Sequence, residues 1–319
     1  MCHGTDPIYH VYVIINNNAI TKKGGIFVRS WGAQSEVGKL EKVLVKKPQE
    51  AYHDQATLDA NWKDLGYTGP IDFSRAIEEY ACFFEIIKSH VKEVFTLPAD
   101  EATGPDSIYA RDSCMITDDG AILFNMGKPQ RSGEAAAAGR FFDEIGLPIL
   151  GWIQGEGTME GGDMAWLDPE TLAVGISYRT NTEGILQLKQ FAQGKFTVLD
   201  YPIPHWNGPA ECLHLMSFIS PVDHRKAVVY SKQMPVTFRK ELIRRGFTLI
   251  EVPDEEYDTM ACNVLALEPG LVLMIKGNPI TRDRMRKAGL EVLEFPGTEI
   301  CWKGGGGPTC LTRPLLRQY

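Results

Sequence analysis

A short apolar run rich in Val, Leu and Ile that closes on polar residues recurs along the chain. KVLVKKP (42–48), ILFNMGKP (122–129), VVYSKQMP (228–235) and VLMIKGNP (272–279) each reach a Pro, and LAVGISYRT (172–180) is a fifth without one. Runs of this length and content predict strands. After each comes a helical pattern: FSRAIEEYACFFEIIKSH (73–90), SGEAAAAGRFFDEIG (132–146), NTEGILQLKQFAQG (181–194), TFRKELIRRG (237–246) and ITRDRMRKAG (280–289). Ser132, Thr237 and Thr281 sit where N-caps are expected. Gly146, Gly194, Gly246 and Gly289 sit where a left-handed C′ residue closes a helix. A second apolar run then ends at or near Pro: VKEVFTLP, LPILGWI, FTVLDYPIP, FTLIEVP, LEVLEFP.

The helix starts at 73, 132, 181, 237 and 280 lie 59, 49, 56 and 43 residues apart. Each second run leads into a loop and a further strand. One such unit cannot cover both faces of its sheet, whereas five around an axis can. A doubly wound sheet has the same alternation; the even spacing favours a closed, five-fold pseudosymmetric α/β propeller of strand–helix–strand repeats. The reading is a single domain over 1–319, with roughly the first 35 residues partly an extension.

Composition narrows the function. The chain has 319 residues, net charge −8, 44% hydrophobic and 23% charged residues, which is globular. The acidic balance disfavours nucleic acid and mildly favours cationic partners. No apolar run approaches ~18 residues, so no membrane span is expected. The N-terminus lacks a basic n-region and is not read as a signal peptide. Seven cysteines, an odd number, argue for free thiols in a reducing, cytoplasmic setting.

If five units surround an axis, the segments after the second strands meet at one place. They are GPDSIYARD (104–112), TMEGGDMAW (158–166), ECLHLMS (211–217), MACNVLA (260–266) and GGGGPTCLTRP (304–314). Cys310 follows four glycines, which let backbone and substrate approach closely. A thiolate is a good nucleophile where a neighbour lowers its pKa. His214, between Leu213 and Leu215, is the candidate general acid/base, ahead of His205 and His53, and Glu160 is the candidate that orients it. Asp112, at a strand end, would suit a planar guanidinium, or would pair with Arg111. Cys212-x-His214 and Cys301-x8-Cys310 do not match zinc spacings, and phosphate-loop and dinucleotide fingerprints are absent, so neither metal nor cofactor is expected.

PDSIYARD, GKPQRSGE, MEGGDMAWLD, VGISYRTN, HLMS and GGGGPTCLTRP together resemble the guanidino-group-modifying superfamily. It includes dimethylarginine dimethylaminohydrolases, arginine deiminases and amidinotransferases. The resemblance covers nearly the whole chain and implies a five-fold pseudosymmetric propeller. It implies Cys310 as nucleophile, His214 as general acid/base and Glu160 as third catalytic carboxylate. Asp112 matches the carboxylate that grips the guanidinium, and Asp106 a substrate-pocket aspartate. Arg131 and Arg179 match the arginines that hold an amino-acid carboxylate, and Asp163 is expected to support by hydrogen bonding.

Departures discriminate within the superfamily. Met216 stands where arginine deiminases usually carry a second aspartate, which suits an alkylated nitrogen better than free arginine. Glu160-Gly-Gly differs from the Asp-Ala-Ala-Asp of amidinotransferases, while Arg111-Asp112 looks deiminase-like. The balance favours a dimethylarginine-hydrolase-like enzyme. The implied chemistry is attack by Cys310 on the guanidinium carbon, protonation of the leaving amine by His214, and hydrolysis of an S-alkylthiouronium intermediate to a ureido product. A non-catalytic propeller that only binds a partner is the reading from another class, and a homodimer is left open.

Overall fold

The structure is a computed structural model that describes residues 21–23, 26–210 and 213–319. Five three-stranded sheets repeat one plan. In the second, Cys114–Thr117 runs antiparallel to Gly120–Leu123, which pairs parallel with Ile149–Trp152. The third is built from Met164–Asp168, Thr171–Ile176 and Thr197–Pro202. Ile219–Asp223, Lys226–Val229 and Thr248–Glu251 form the fourth, and Leu265–Glu268, Leu271–Ile275 and Glu291–Phe295 the fifth. The first sheet closes the ring: Lys39–Val45 pairs parallel with Glu93–Thr96 and antiparallel with Arg313–Gln318 from the other end of the chain. The fold is therefore the expected five-fold pseudosymmetric α/β propeller.

A parallel pair needs a crossover, and a helix supplies it in each unit, the first unit adding two short helices, Pro48–Tyr52 and Gln55–Asn61, ahead of its long one. The crossover helices are Phe73–His90, Glu134–Ile145, Thr182–Phe191, Val236–Arg244 and Pro279–Lys287. The middle strand lies between its helix and the neighbouring unit. Gly120–Leu123 is buried throughout, which is why these strands read as continuous apolar runs rather than alternations. Gly146, Gly194, Gly246 and Gly289 all take left-handed φ, between 70° and 87°, so the helix ends match expectation.

The N-caps differ from expectation. The helices follow Gly133, Pro235 and Asn278, not Ser132, Thr237 and Thr281. For the last, the buried carboxylate of Glu256 does the capping. It accepts from the N–H groups of Ile280 and Thr281 at 2.7 and 2.8 Å and from the Thr281 hydroxyl at 2.6 Å. A cap supplied from 25 residues away leaves no local signature.

Thr21–Lys23 and Ile26–Val28 pair with each other outside the ring. From Trp31 onward the chain packs into the core beside Leu44, Cys114 and Leu315. Cys2, Glu211 and Cys212 lie outside the described residues; the five described cysteines are free thiols. Among the described residues, no helix is long and apolar enough to cross a membrane.

Candidate active site

The five loops that leave the third strands converge, as the repeat requires. Asp106, Asp112, Gly162, His214, Asn263 and Cys310, between them from all five, line one cavity of about 360 Å3. Arg111, Lys128, Arg131, Arg179 and Met216 also face it. Glu160 and Asp163 are fully buried behind its wall.

Cys310 is half-buried on a loop in which three of the four preceding glycines are dictated by close packing and Gly305 by a left-handed φ of 73°. A Cβ on Gly304 or Gly306 would strike the Tyr109 ring, and one on Gly307 would strike Asn263. Upstream, the buried carboxylate of Glu79 accepts from the N–H groups of Thr298, Glu299 and Ile300, which anchors the loop to the helix Phe73–His90. Asn263 donates from Nδ2 to Cys310 Sγ at 3.2 Å, and its Oδ1 accepts from the Thr309 N–H and hydroxyl at 3.0 and 2.8 Å. Burial pushes the Cys310 thiol up and Asp112 adds to this; the Gly307 N–H, Asn263 and His214 pull it down.

His214 Nε2 meets Glu160 Oε2 at 2.9 Å. Glu160 Oε1 accepts from the Lys128 backbone N–H at 2.9 Å and lies 3.5 Å from Arg179 Nη1. Burial alone would raise Glu160, but the hydrogen bond and charge of His214, with Arg131 and Arg179, outweigh it and hold the carboxyl well below its usual range. Gly162 lies against the imidazole, where a Cβ could not fit. Asp163 ties this loop to its neighbours, accepting from Ser177 Oγ at 2.6 Å and the Leu215 N–H at 3.0 Å. Burial pushes Asp163 up to about 6.

Asp112 lies in the turn before Cys114–Thr117, not at a strand end, and its partner is not Arg111. Arg111 pairs with Glu36 at 2.7 Å. Asp112 Oδ2 accepts from Arg131 at 2.6 Å and Oδ1 from the Gly162 N–H at 2.8 Å. Arg131 also grips Glu134 through two hydrogen bonds, at 2.8 and 2.7 Å, and donates to the Tyr109 carbonyl at 3.0 Å. Most of its donors are thus committed inside the protein, so Arg179 is the more available of the two arginines. Asp106 accepts from Tyr67 Oη at 2.9 Å and Lys128 Nζ at 2.6 Å. His205 stands apart, exposed and 2.8 Å from the Tyr178 hydroxyl, beside an adjoining cavity of about 240 Å3.

A soft nucleophile, an imidazole–carboxylate pair and a buried carboxylate around one cavity suit covalent catalysis on a planar cation. The family model for eukaryotic N,N dimethylarginine dimethylhydrolase matches residues 47–317. The chain belongs to that family. The N(G),N(G)-dimethylarginine dimethylaminohydrolase of Pseudomonas aeruginosa is 25% identical over 251 residues, covering 77% of this chain and 91% of its own. An arginine deiminase of Mycoplasma capricolum is 29% identical over 326 aligned positions, covering 85% and 78%. The P. aeruginosa dimethylarginine dimethylaminohydrolase, solved as a cysteine-to-serine variant complexed with citrulline, superposes with a TM-score of 0.71. It is 22% identical and covers 87% of this chain and 100% of its own.

Within this dimethylarginine-hydrolase family member, sequence reasoning passed over Asn263, Lys128 and Tyr67. Asn263 had a signal: MACNVLA is the fourth repeat-equivalent loop, and Asn263 is its polar residue among apolar neighbours. Lys128 sits inside the quoted GKPQRSGE, one turn before Arg131. Tyr67 lies outside the repeat and had none.

Proposed function

We propose that this chain hydrolyses the guanidino group of an arginine derivative, methylated arginine favoured, through a covalent intermediate on Cys310. The observation that supports it best is the meeting of Cys310, the His214–Glu160 pair and Asp112 at one cavity. In the free protein, burial and Asp112 keep Cys310 a neutral thiol. A guanidinium bound beside Asp112 brings a positive charge that favours the thiolate. The Cys310 thiol passes its proton to His214, the thiolate attacks the guanidinium carbon, and His214, held by Glu160, hands that proton to the departing amine as the C–N bond breaks. His214 then takes a proton from water, which adds to the thiouronium carbon. Collapse breaks the C–S bond and releases the ureido product, and the proton held by His214 returns to the Cys310 sulfur. Met216 and Leu213 on the wall offer an apolar surface to N-alkyl groups.

Deimination of an unmethylated guanidine is the second reading, favoured by the adjacent Arg111-Asp112 in the sequence and by the deiminase relative. The experiment is a panel of arginine, its methylated forms and guanidino acids, assayed for ureido product and released amine or ammonia. Ureido product with methylamine or dimethylamine supports the first reading, and with ammonia the second. No ureido product from any compound contradicts both.

A further inference from the structure

Asn263 touches the sulfur of Cys310, yet the steps assigned to His214 and Asp112 leave it without a task. It is buried, and its Nδ2 donates to Cys310 Sγ at 3.2 Å. Its orientation follows from its other end. Oδ1 accepts from the Thr309 N–H at 3.0 Å and from the Thr309 hydroxyl at 2.8 Å. A backbone N–H can only donate, so the amide oxygen must face Thr309 and the amino group must face the sulfur. The Thr309 hydroxyl also lies 3.8 Å from Sγ, the longer of its two contacts. The turn that delivers Asn263 holds Met260 at a φ of 64°, a conformation that residues with a side chain rarely adopt. It closes with the Asn263 N–H on the Met260 carbonyl at 3.0 Å.

In the covalent route the sulfur is an anion twice, before attack and as the C–S bond breaks. An N–H on a thiolate makes a charge-assisted bond, stronger than the same N–H on a thiol or a thioether sulfur. Before attack, the guanidinium stands beside the sulfur and its charge also favours the thiolate. When the C–S bond breaks, the carbon becomes that of a neutral ureido group, and this help is gone. The electron pair of the bond passes to the sulfur while the proton is still on His214. A cation in place of Asn263 would steady that thiolate but repel the guanidinium on arrival, whereas a neutral amide does the first without the second.

We propose that Asn263 is a catalytic residue of the second half of the reaction, stabilising the Cys310 thiolate as it leaves the carbon, and that Thr309 is the positioning residue that aims its amide. This rests on the guanidino-hydrolase reading above and assigns the donor for its C–S cleavage step.

Single turnovers of Nω-methyl-L-arginine and of L-arginine, acid-quenched at intervals, give the rates at which a substrate-derived mass appears on the Cys310 peptide and leaves it. Asn263→Ala should slow loss of the adduct by about tenfold, the scale of one charge-assisted hydrogen bond. It should slow formation by less, so the adduct accumulates. Asn263→Asp keeps both bonds from Thr309, which hold the carboxylate ionised, and sets that charge against the sulfur. It should slow loss of the adduct further. Thr309→Val should act in the same direction more weakly, and Thr309→Ser should recover what Thr309→Val loses. Circular dichroism confirms folded variants, and Asn263→Asp carries the test where Asn263→Ala does not fold. Adduct loss that neither Asn263 variant slows, or formation slowed more than loss, overturns the proposal while leaving the hydrolase reading standing. Thr309→Val matching the wild type overturns the positioning role. Wild-type protein that forms neither adduct nor ureido product from either compound removes the hydrolase reading, and the proposal with it.

Discussion

At the Cys310 end of the cavity, the side chains meet few partners, and those partners adjust reactivity. Asn263 places one neutral donor on the sulfur, and Glu160 holds the His214 ring. At the Asp106 end, charges are paired with one another before any ligand arrives: Asp106 with Lys128, and Arg131 with Asp112 and Glu134. The first arrangement centres on one sulfur and one imidazole. The second is an electrostatic lattice in which a ligand must replace a bond rather than simply make one. Burial explains the second: unpaired charges in such a wall are costly, so the protein supplies their partners.

Removing the nucleophile should break the comparison most severely. Cys310→Ala and Cys310→Ser are expected to abolish turnover with the fold intact, checked by activity alongside circular dichroism. Near-normal turnover in either would place the reaction elsewhere.

His214→Gln should cost ~10²–10⁴-fold in turnover, the usual scale for general acid/base help. His205→Gln should cost little, since His205 faces the adjoining cavity. Reversed results would exchange their roles.

Asp112 separates thiol reactivity from turnover. Its carboxylate helps keep the Cys310 thiol protonated. Asp112→Asn should therefore shift the pH profile of Cys310 alkylation toward lower pH, raising the rate at neutral pH, while turnover falls. Asn263→Ala should shift it toward higher pH, because Asn263 pulls the thiol down. Peptide-resolved mass spectrometry distinguishes Cys310 from the exposed Cys82. Unchanged profiles in both variants would remove this electrostatic account of the thiol.

Smaller effects belong to the tail end. Arg179→Lys keeps the charge but loses the planar fork, and should raise KM for substrates with a carboxylate by about tenfold. Agmatine, which has no carboxylate, should be little affected. Equal losses on both would make Arg179 structural. Arg131→Lys should instead lower Tm, because it breaks the bonds to Asp112, Glu134 and Tyr109.

The fold was legible because its signals are local and repeat. Each middle strand is a buried apolar run, each helix carries its own periodicity, and four helix ends carry a left-handed glycine. The convergence of the loops follows from that repeat, which is how Cys310, His214 and Glu160 could be nominated from distant segments. What stayed hidden depends on contacts across the chain. The Glu256 cap on Pro279–Lys287, the Tyr67–Asp106 bond and the choice of Arg131 over Arg111 by Asp112 have no sequence spacing of their own. The glycines before Cys310 were read as room for substrate; three of them, Gly304, Gly306 and Gly307, also make room for Tyr109 and Asn263.

The central claim is a covalent intermediate on Cys310, and acid quenching during turnover tests it most directly. Quenched wild-type protein should carry a substrate-derived mass on the peptide containing Cys310, appearing and decaying with formation of ureido product, and Cys310→Ala should carry none. Ureido product accumulating with no such mass at any quench time, or with the mass on a different residue, would contradict the account.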